Sequence, residues 1–460
     1  MNLKKFLCMV MAMLLATGAF ALAETDDVQA QLDAANERIA QLEAEVELYR
    51  PYYEQQIVAE YGEGGIIWRE DAMAEYEAAA SAYSQYGLSI DTYADTVKQD
   101  ILTSLVQQAV LKEKAEELGL DQLDDEARAN LEAEAAENYE TYIENYKSYF
   151  AAEDASDEDA RAQTIAAMEQ YGLTQDVLVQ QMLDSYVDEQ LHSYVTADVA
   201  ATDEDIQAKY DELVAYGEEH YTDDRAYNTA RNGGETIAWN PEGYRAVKHV
   251  LIKFDDEQSQ QYSSLQSTLS SLNDELEALD NPQEETADET ADETDAEDAE
   301  AETPRTREEI QADIGRIGTE LEALYSQLLP RAQQVIDEFE GGADFESLIE
   351  KYNEDPGMQN EPTASQGYAV AAESTTWDPA FTEGAMSIEA VGGISGPING
   401  QNGVHIIYYL SDITPGAVPF EDIADAVTAA AQEDKVNDTY DAQVAAWVEE
   451  ANPVYHMDRF

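Results

Sequence analysis

Apolar residues recur at alternating four- and three-residue spacings in three stretches of this chain. One stretch lies in residues 24–50, and two of similar length lie in residues 256–329. The apolar positions are Val28, Leu32, Ala35, Ile39, Leu42, Val46 and Tyr49 in the first stretch; Tyr262, Leu265, Leu269, Leu272, Leu276 and Leu279 in the second; and Ile310, Ile314, Ile317, Leu321, Leu324 and Leu328 in the third. This spacing predicts helices with a coiled-coil seam. The first is short, about three heptads, and we expect it to end at Pro51.

The two later stripes flank a segment of a different kind. Residues 282–303 hold eleven acidic residues, no basic residue and a repeated Thr-Ala-Asp-Glu unit. Such a composition is typical of a disordered, solvated loop. We therefore predict an antiparallel coiled-coil hairpin over residues 256–329 with an acidic tip. Its second helix is expected to run on through Pro330, with or without a kink.

Helical periodicity also dominates residues 51–235 and returns in residues 417–460. Tyr and Met are frequent in the first of these regions, for example in the stripe that contains Tyr139, Tyr142 and Tyr146. Tyr offers a large contact area with a polar tip, and Met adapts to varied partners, which suits a surface that binds unfolded chains. Ordinary packing between helices explains the same stripes, and both interpretations stay open.

The first 23 residues have the pattern of a secretory signal peptide. Lys4 and Lys5 precede an apolar run, and a small-x-small site ends at Ala23. The single cysteine, Cys8, lies inside this segment and not at the cleavage point, so a lipid anchor is not expected. No later segment is long and apolar enough to cross a membrane. We expect a secreted or cell-envelope protein.

The formal net charge of -75 comes from 99 acidic and 24 basic residues. Nucleic acids and anionic membrane surfaces are bound through Lys and Arg, so this balance argues against both as partners. It favours solubility, and it could attract basic, unfolded polypeptides.

A series of short motifs occupies residues 244–413. In order they are AVKHVLIK at 246–253, GGADF at 341–345, LIEKYNEDPG at 348–357, GY at 367–368, WDPAF at 377–381, ISGPI at 394–398 and GVHII at 403–407. In this order they resemble the parvulin-type peptidyl-prolyl isomerases, with the helical segment 256–329 inserted after the first strand. The sequence departs from the family pattern at two points: a Gly-Gly pair is missing before Gly367, and Trp377 stands where relatives carry Met.

A second resemblance covers residues 57–120. The start IVA at 57–59 and the helix end AEELGL at 115–120 are similar to the N-terminal chaperone module of exported SurA/PrsA-type foldases. Together the two resemblances imply an α+β protein. We expect a parvulin-like antiparallel sheet with surrounding helices in 244–413, a mainly helical chaperone module in 51–235, and a tail, 417–460, whose helix packs on that module.

Prolyl isomerisation makes and breaks no covalent bond, so it needs neither an activated nucleophile nor a cofactor. It needs an apolar slot for the proline ring and polar groups that stabilise a twisted amide, against a barrier of roughly 18–20 kcal/mol. The resemblance implies the catalytic residues His249, Asp355 and His405, and the substrate-contacting residues Leu251, Trp377, Phe381 and Asn402. No metal is expected, because the two histidines and Asp355 come from distant segments without a compact ligand motif.

Each of these residues also has a plain structural explanation. The histidines can serve as buried hydrogen-bonding groups, Phe381 as core, and Asp355 as a turn residue before Pro356. The leading prediction is an exported foldase that isomerises X-Pro bonds and binds unfolded, proline-containing polypeptides. Two alternatives stay open: a binding chaperone with a silent parvulin scaffold, and an assembly protein that forms homodimers through its coiled coils.

Overall fold

The computed structural model describes residues 25–152, 154–280 and 305–460. The predicted signal peptide, 1–23, and the predicted acidic tip, 282–303, lie outside these ranges. The chain divides into two compact units: residues up to 200 together with 433–460, and residues 201–432. None of the described helices is long and apolar enough to cross a membrane.

The first unit combines helices with a small antiparallel sheet. Its elements are α1 (Thr25–Glu54), β1 (Ile57–Tyr61), β2 (Gly65–Trp68), α2 (Arg69–Gln85), α3 (Ala94–Leu118), α4 (Asp125–Phe150), α5 (Asp157–Gln170), α6 (Gln175–Thr196), the end of α14 (Phe420–Glu450) and β9 (Val454–Tyr455). Side chains at the helix starts accept hydrogen bonds from backbone amides three positions on, as Asp124 does for α4 and Ser156 for α5. These caps fix where the polar loops pass into helix.

Helix α1 differs from the prediction at its end. It continues through Pro51 to Glu54 instead of ending at the proline. A proline removes one backbone hydrogen bond and crowds the preceding turn. In the last turn little helix follows it, so the expectation that Pro51 ends the helix is wrong by a few residues.

The core of the first unit lies between its sheet and α3. The sheet has the order β2-β1-β9, and Ala59 on β1 faces Tyr455 on β9 in register. Fully buried Val58 and Leu102 pack there together with Trp447 from the end of α14. The C-terminal residues thus add a third strand and an apolar cover to a hairpin near the N-terminus.

The second unit contains the larger sheet. Its elements are α7 (Asp203–His220), α8 (Asp224–Gly233), β3 (Trp239–Asn240), β4 (Arg245–Lys253), α9 (Asp256–Asp280), α10 (Arg307–Glu340), α11 (Phe345–Tyr352), α12 (Thr363–Gln366), β5 (Tyr368–Val370), α13 (Pro379–Ser387), β6 (Ile398–Gly400), β7 (Gly403–Asp412), β8 (Gly416–Ala417) and the start of α14. Four strands form an antiparallel sheet in the order β5-β4-β7-β6, and β3 pairs with β8.

Strand β4 lies at the centre of this sheet and is buried over seven consecutive residues, 246–252. Five of these seven buried residues are apolar because elements cover both faces of the strand; the other two are Lys248 and His249. Helices α10 and α11 pack against one side, where Val250 and Ile252 meet Val335 and Leu348. Helix α13 covers the other side. The predicted α+β class, with an antiparallel sheet and surrounding helices, is confirmed.

Helices α9 and α10 run antiparallel to each other. Gln258 near the start of α9 bonds Gln327, and Glu275 near its end pairs with Arg305 just before α10. The apolar stripes of both helices join the core beneath β4. Helix α10 is continuous from Arg307 to Glu340 and includes Pro330.

The boundary between the two units lies at residue 200, whereas the sequence placed it between residues 235 and 244. Helices α7 and α8 therefore belong with the larger sheet. The reason is packing: Tyr227 and Ala230 of α8 contact Ala369 of β5, and β3 pairs with β8. The predicted end of the helical module at residue 235 differs from this division and stays a prediction.

Candidate active site

Two histidines meet on one face of the larger sheet. Strand register places His249 on β4 opposite Ile407 on β7, and Leu251 opposite His405. Because side chains alternate between faces, His249 and His405 become diagonal neighbours on the same face. Their Nδ1 atoms are 2.9 Å apart, and both residues are buried, at 3% and 7% exposure.

Asp355 completes a chain of three side chains. It precedes the short 3₁₀ turn Pro356–Gln359, and its Oδ1 accepts a hydrogen bond from the Gly357 amide at 3.2 Å. Its Oδ2 lies 2.8 Å from Nε2 of His249 and accepts a second hydrogen bond, at 2.9 Å, from the Tyr368 hydroxyl. The turn thus directs the carboxylate onto the first histidine.

The electrostatics of this chain follow from burial and pairing. Burial by itself would raise the pKa of Asp355, but the hydrogen bond and charge of His249, with help from Tyr368 and Gly357, lower it to about 2. The carboxylate is therefore ionised, and Nε2 of His249 donates to it. Burial, reinforced by the neighbouring His249, lowers the pKa of His405 to about 3, so that ring is neutral. Burial and the charge of Asp355 raise the pKa of Tyr368 and keep its proton in place.

Asn353 ties the Asp355 turn to β4. Its Oδ1 accepts hydrogen bonds from the amides of Leu251 and Asp355, at 3.0 and 3.1 Å, and its Nδ2 donates to the Asp355 carbonyl at 2.7 Å. The Glu354 amide also donates to the Leu251 carbonyl. The position of Asp355 relative to His249 is therefore fixed by backbone contacts as well as by the side-chain pair.

Aromatic rings cover the histidine pair. Phe381 on α13, 4% exposed, meets both imidazoles edge to face, with ring centroids 5.2 Å from His249 and 5.3 Å from His405. Trp377 lies 4.3 Å from the Tyr368 ring and donates its indole N–H to the Ala369 carbonyl at 2.8 Å. Asp378 caps α13 and also accepts from the Gln401 amide, which joins the helix to the β6–β7 turn.

The structure brings six of the seven predicted site residues to one region: His249, Leu251, Asp355, Trp377, Phe381 and His405. Asn402 is the exception. Its side chain is exposed in the β6–β7 turn, and none of the hydrogen bonds among the described residues links that side chain to the histidines. Its backbone carbonyl accepts from the Phe254 amide instead.

Sequence reasoning missed three polar residues here: Tyr368, Asn353 and Asp378. Asn353 and Asp378 each carry a local signal, since Asn or Asp shortly before a turn or a Pro-initiated helix commonly bonds nearby amides. Tyr368 carries none, because its contact with Asp355 depends on the pairing of β5 with β4. Among residues 25–152, 154–280 and 305–460 there is no cluster of His, Cys, Asp and Glu that could hold a metal ion.

The arrangement combines a buried, aromatic surface with a hydrogen-bonded polar chain. Both carboxylate oxygens of Asp355 accept hydrogen bonds from neighbouring groups. The site suits a reaction that depends on desolvation and on positioned polar groups.

Comparison with known proteins gives a family match inside the second unit. Residues 322–411 match the Rotamase family model, described as a PPIC-type PPIASE domain. A chaperone SurA from Polaromonas sp. is 35% identical over 80 residues, which is 17% of this chain and 16% of that protein. A foldase protein PrsA from Clostridium perfringens is 28% identical over 130 residues, 28% of this chain and 38% of that protein. The chain thus spans well under half the length of these relatives.

Among solved structures, PrsA from Bacillus subtilis is similar with a TM-score of 0.23 and 16% identity, over 86% of this chain and 92% of that one. PrsA from Streptococcus pneumoniae gives a TM-score of 0.24 and 13% identity, over 85% and 91%. The family match begins at residue 322, inside α10, after α9 and the first part of α10 have separated β4 from the rest of the sheet. The chain therefore contains a parvulin-type, PPIC domain, to which β4 contributes His249 by pairing with β7.

Proposed function

We propose that the protein is an exported folding factor that isomerises X-Pro peptide bonds in unfolded polypeptides. The observation that carries this proposal is the hydrogen-bonded chain Asp355–His249–His405 beneath Phe381, inside a PPIC-type domain. A proline ring would bind against the apolar surface of Phe381, Leu251 and Trp377. The histidine pair and Asp355 would face the amide that rotates.

The chemistry follows from the environment of the pair. When the amide twists, its nitrogen lone pair leaves conjugation and the dipole of the carbonyl group falls. Removal from water favours the less polar, twisted state, and the fixed polar groups need no rearrangement to interact with it. Neutral His405 and ionised Asp355 supply an asymmetric field on one side of the slot.

A refolding assay tests the activity. The substrate is a denatured protein whose slow folding phase is limited by a single X-Pro bond, and uncatalysed exchange takes about 10–100 s. Wild-type protein at substoichiometric concentration should accelerate that phase. Phe381→Ala should abolish most of the acceleration, whereas Phe339→Ala, a matched removal of a ring that packs away from the histidines against Phe345 and Tyr408, should retain it.

The result that contradicts the proposal is equally direct. If wild-type protein leaves the slow phase unchanged, or if Phe381→Ala accelerates it as wild type does, the isomerase assignment is wrong. Circular dichroism of each variant shows whether the fold is retained, because removal of a buried Phe ring costs about 3–5 kcal/mol.

A cluster of aromatic side chains favours a second, separate function in the first unit. Tyr149 and Tyr171 are 82% and 72% exposed, and their rings flank Phe150 at 5.5 and 5.9 Å. Exposed aromatic rings on helices offer apolar contact area for unfolded chains. We propose that this surface binds unfolded clients, whether or not the PPIC-type domain turns over.

Aggregation assays separate this function from isomerisation. Tyr149→Ser with Tyr171→Ser should weaken suppression of client aggregation and leave the proline-limited assay unchanged. Phe381→Ala should weaken the acceleration in the proline-limited assay and leave the suppression of client aggregation unchanged. Sedimentation at several concentrations tests the remaining alternative, a homodimer through α1 or the α9–α10 pair: a single monomeric species throughout would exclude it. Secretion of the full chain, with cleavage after Ala23, tests export.

A further inference from the structure

Helix α8, which precedes β4, begins with a carboxylate that is saturated with hydrogen bonds. Asp224 accepts five of them from three segments of the second unit: α8 itself, the residue before β4, and the loop after β5. The donors are the Tyr244 hydroxyl at 3.0 Å, the Ser374 hydroxyl at 2.7 Å, Asn228 Nδ2 at 3.0 Å, and the backbone amides of Thr375 at 2.9 Å and Thr376 at 2.8 Å. Burial would raise the pKa of Asp224, but these hydrogen bonds outweigh it and lower the pKa.

Three of the five donors belong to the loop that leads from β5 to Trp377. The loop is also closed on itself: the Ser374 amide donates to the Ala371 carbonyl, and the Ala371 amide donates to the Ser374 hydroxyl oxygen. The last amide held by Asp224, that of Thr376, is directly before Trp377. The backbone that carries the indole is therefore fixed by a side chain about 150 residues earlier in the chain.

Helix α8 holds the other end of β5 as well. Arg231 donates from Nη2 to the Gln366 carbonyl at 3.1 Å, just before the strand begins. Between these two attachments, Ala369 of β5 packs on Tyr227 and Ala230 of α8. Because side chains alternate along a strand, Tyr368 points away from α8 and reaches Asp355. Both Trp377 and Tyr368 thus take their positions from elements that α8 holds.

We propose that Asp224 is a positioning residue for Trp377, and that the position of the indole sets the width of the slot that receives the proline ring. The effect on the slot rests on the proposed function, whereas the positioning of the indole does not. Asp224 lies on α8, outside residues 322–411, which match the family model.

A carboxylate is required at this position because an ionised Asp only accepts hydrogen bonds. In Asp224→Asn one oxygen becomes an NH₂ group, so an N–H would face either the two backbone amides or the two hydroxyls. Neither orientation satisfies all five donors. We therefore expect the loop to loosen while the sheet, whose own ladder does not use Asp224, stays intact.

The neighbouring residue provides a matched control. Asp223 caps α8 by accepting from the Ala226 amide at 2.9 Å, and it bonds none of the loop residues 371–377 among the described contacts. Asp223→Asn removes the same charge from the same helix end, and Asn is an equally good cap. Any difference between the two variants therefore reports the contacts of Asp224 with the loop.

The experiment uses the full chain labelled with 5-fluorotryptophan. The protein has four tryptophans, so ¹⁹F NMR gives four resonances, and Trp377→Phe identifies the one that belongs to Trp377. In Asp224→Asn we expect that resonance to shift or broaden, and in Asp223→Asn to stay in place. With an X-Pro peptide substrate, Asp224→Asn should raise KM about tenfold and change kcat less than about twofold, because the slot is loosened and the polar chain is kept.

Two results overturn the proposal. One is an unchanged Trp377 resonance in Asp224→Asn. The other is an equal change in both variants, which would assign the effect to charge at the end of α8. The NMR arm needs no turnover: if wild-type protein proves inactive, the proposed isomerase function fails, and the Trp377 resonance still decides whether Asp224 positions the indole.

Discussion

The Nδ1 atoms of His249 and His405 are 2.9 Å apart, although 156 residues separate the two histidines in the chain. A single proton lies between them, because two N–H groups pointed at each other would repel. Asp355 bonds the far side of His249, so the three side chains form one polarised line from carboxylate to neutral ring. Protonating His405 would place a positive charge at the buried end of that line.

This relationship predicts how His405 links stability to pH. Its pKa is about 3 in the folded protein, against an ordinary value of 6.5. Between these values the unfolded chain binds a proton that the folded protein does not, so the contribution of His405 is present above pH 6.5 and is lost as pH falls toward 3. Replacing it by His405→Gln should therefore cost most stability at pH 7, and the gap from wild type should narrow by up to about 1.4 kcal/mol per pH unit.

Urea unfolding at pH 7 and pH 4.5 measures this gap directly. The difference between proteins is used because the 99 acidic residues also titrate in this range. His220→Gln, which removes a histidine exposed at the end of α7, is the control for the loss of one imidazole. A gap for His405→Gln that is constant from pH 7 to pH 4.5 would show that the pKa of His405 is not lowered in the folded protein.

A second prediction concerns the Tyr368 hydroxyl. Tyr368→Phe removes one of the hydrogen bonds that hold the pKa of Asp355 near 2. The pKa of Asp355 should rise, and the variant should lose about 1–2 kcal/mol of stability above pH 4 because a hydrogen bond to a charged group is lost. The destabilisation should become smaller at low pH. As Asp355 becomes protonated through pH 2, its ionised form no longer contributes, and the difference in unfolding free energy from wild type shrinks.

Carboxyl ¹³C NMR of Asp355 measures that titration. Tyr352→Phe is the matched control, since the Tyr352 hydroxyl donates to the carboxylate of Glu338 at 2.6 Å, on the surface of the same unit. It should leave the Asp355 titration unchanged. If Tyr368→Phe also leaves it unchanged, the Tyr368 hydroxyl does not stabilise the carboxylate.

The sequence carried much of this architecture in local patterns. The seven-residue buried run of β4, the turn chemistry around Asp355 and the order of the motifs were sufficient to predict the sheet and its class, which are confirmed. The catalytic and binding roles of His249, Asp355 and Phe381 stay predictions. Strand register brings these residues together. Only the order of the family motifs indicated this register, because an insertion of more than 70 residues separates β4 from the other strands.

The features of the site that the sequence did not reveal are single hydrogen bonds between residues far apart in the chain. No periodicity indicates that Asp224 accepts from the loop before Trp377, or that Tyr368 reaches Asp355. Asn402 shows the opposite error: its place in the motif suggested a contact with the histidines, but the β6–β7 turn leaves its side chain exposed. A tight turn fixes the backbone at Asn402 but does not direct its polar side chain, which points into solvent.

A third prediction uses a glycine beside His405. A Cβ added at Gly400 would lie 2.7 Å from Nε2 of His405, closer than real contacts allow. Gly400→Ala should therefore displace the His405 ring and lower isomerase kcat/KM about tenfold or more, because small misplacements in a preorganised site are costly. Gly396→Ala, whose added Cβ meets nothing within 4 Å, is the control and should match wild type in the refolding assay. Equal activity of Gly400→Ala and wild type would show that the position of His405 does not matter for turnover.

The last prediction tests whether α9 and α10 are part of the folding unit that carries the site. Gly315 and Gly318 lie inside α10, and a Cβ added at either meets nothing within 4 Å. Alanine at both positions should raise the free energy of unfolding by about 1–2 kcal/mol in total, because glycine is about 0.8–1 kcal/mol less favourable than alanine in a helix.

The matched control is a helical glycine that is crowded. A Cβ at Gly217 in α7 would lie 2.7 Å from the Cβ of Trp239, so Gly217→Ala should destabilise the same unit despite its better helix propensity. Urea unfolding followed by the Trp377 resonance reports the stability of the sheet itself. If Gly315→Ala with Gly318→Ala leaves that transition in place, α9 and α10 unfold separately from the sheet. If the transition moves to higher urea concentration while the acceleration of proline-limited refolding is unchanged, α10 stabilises the site without taking part in its chemistry.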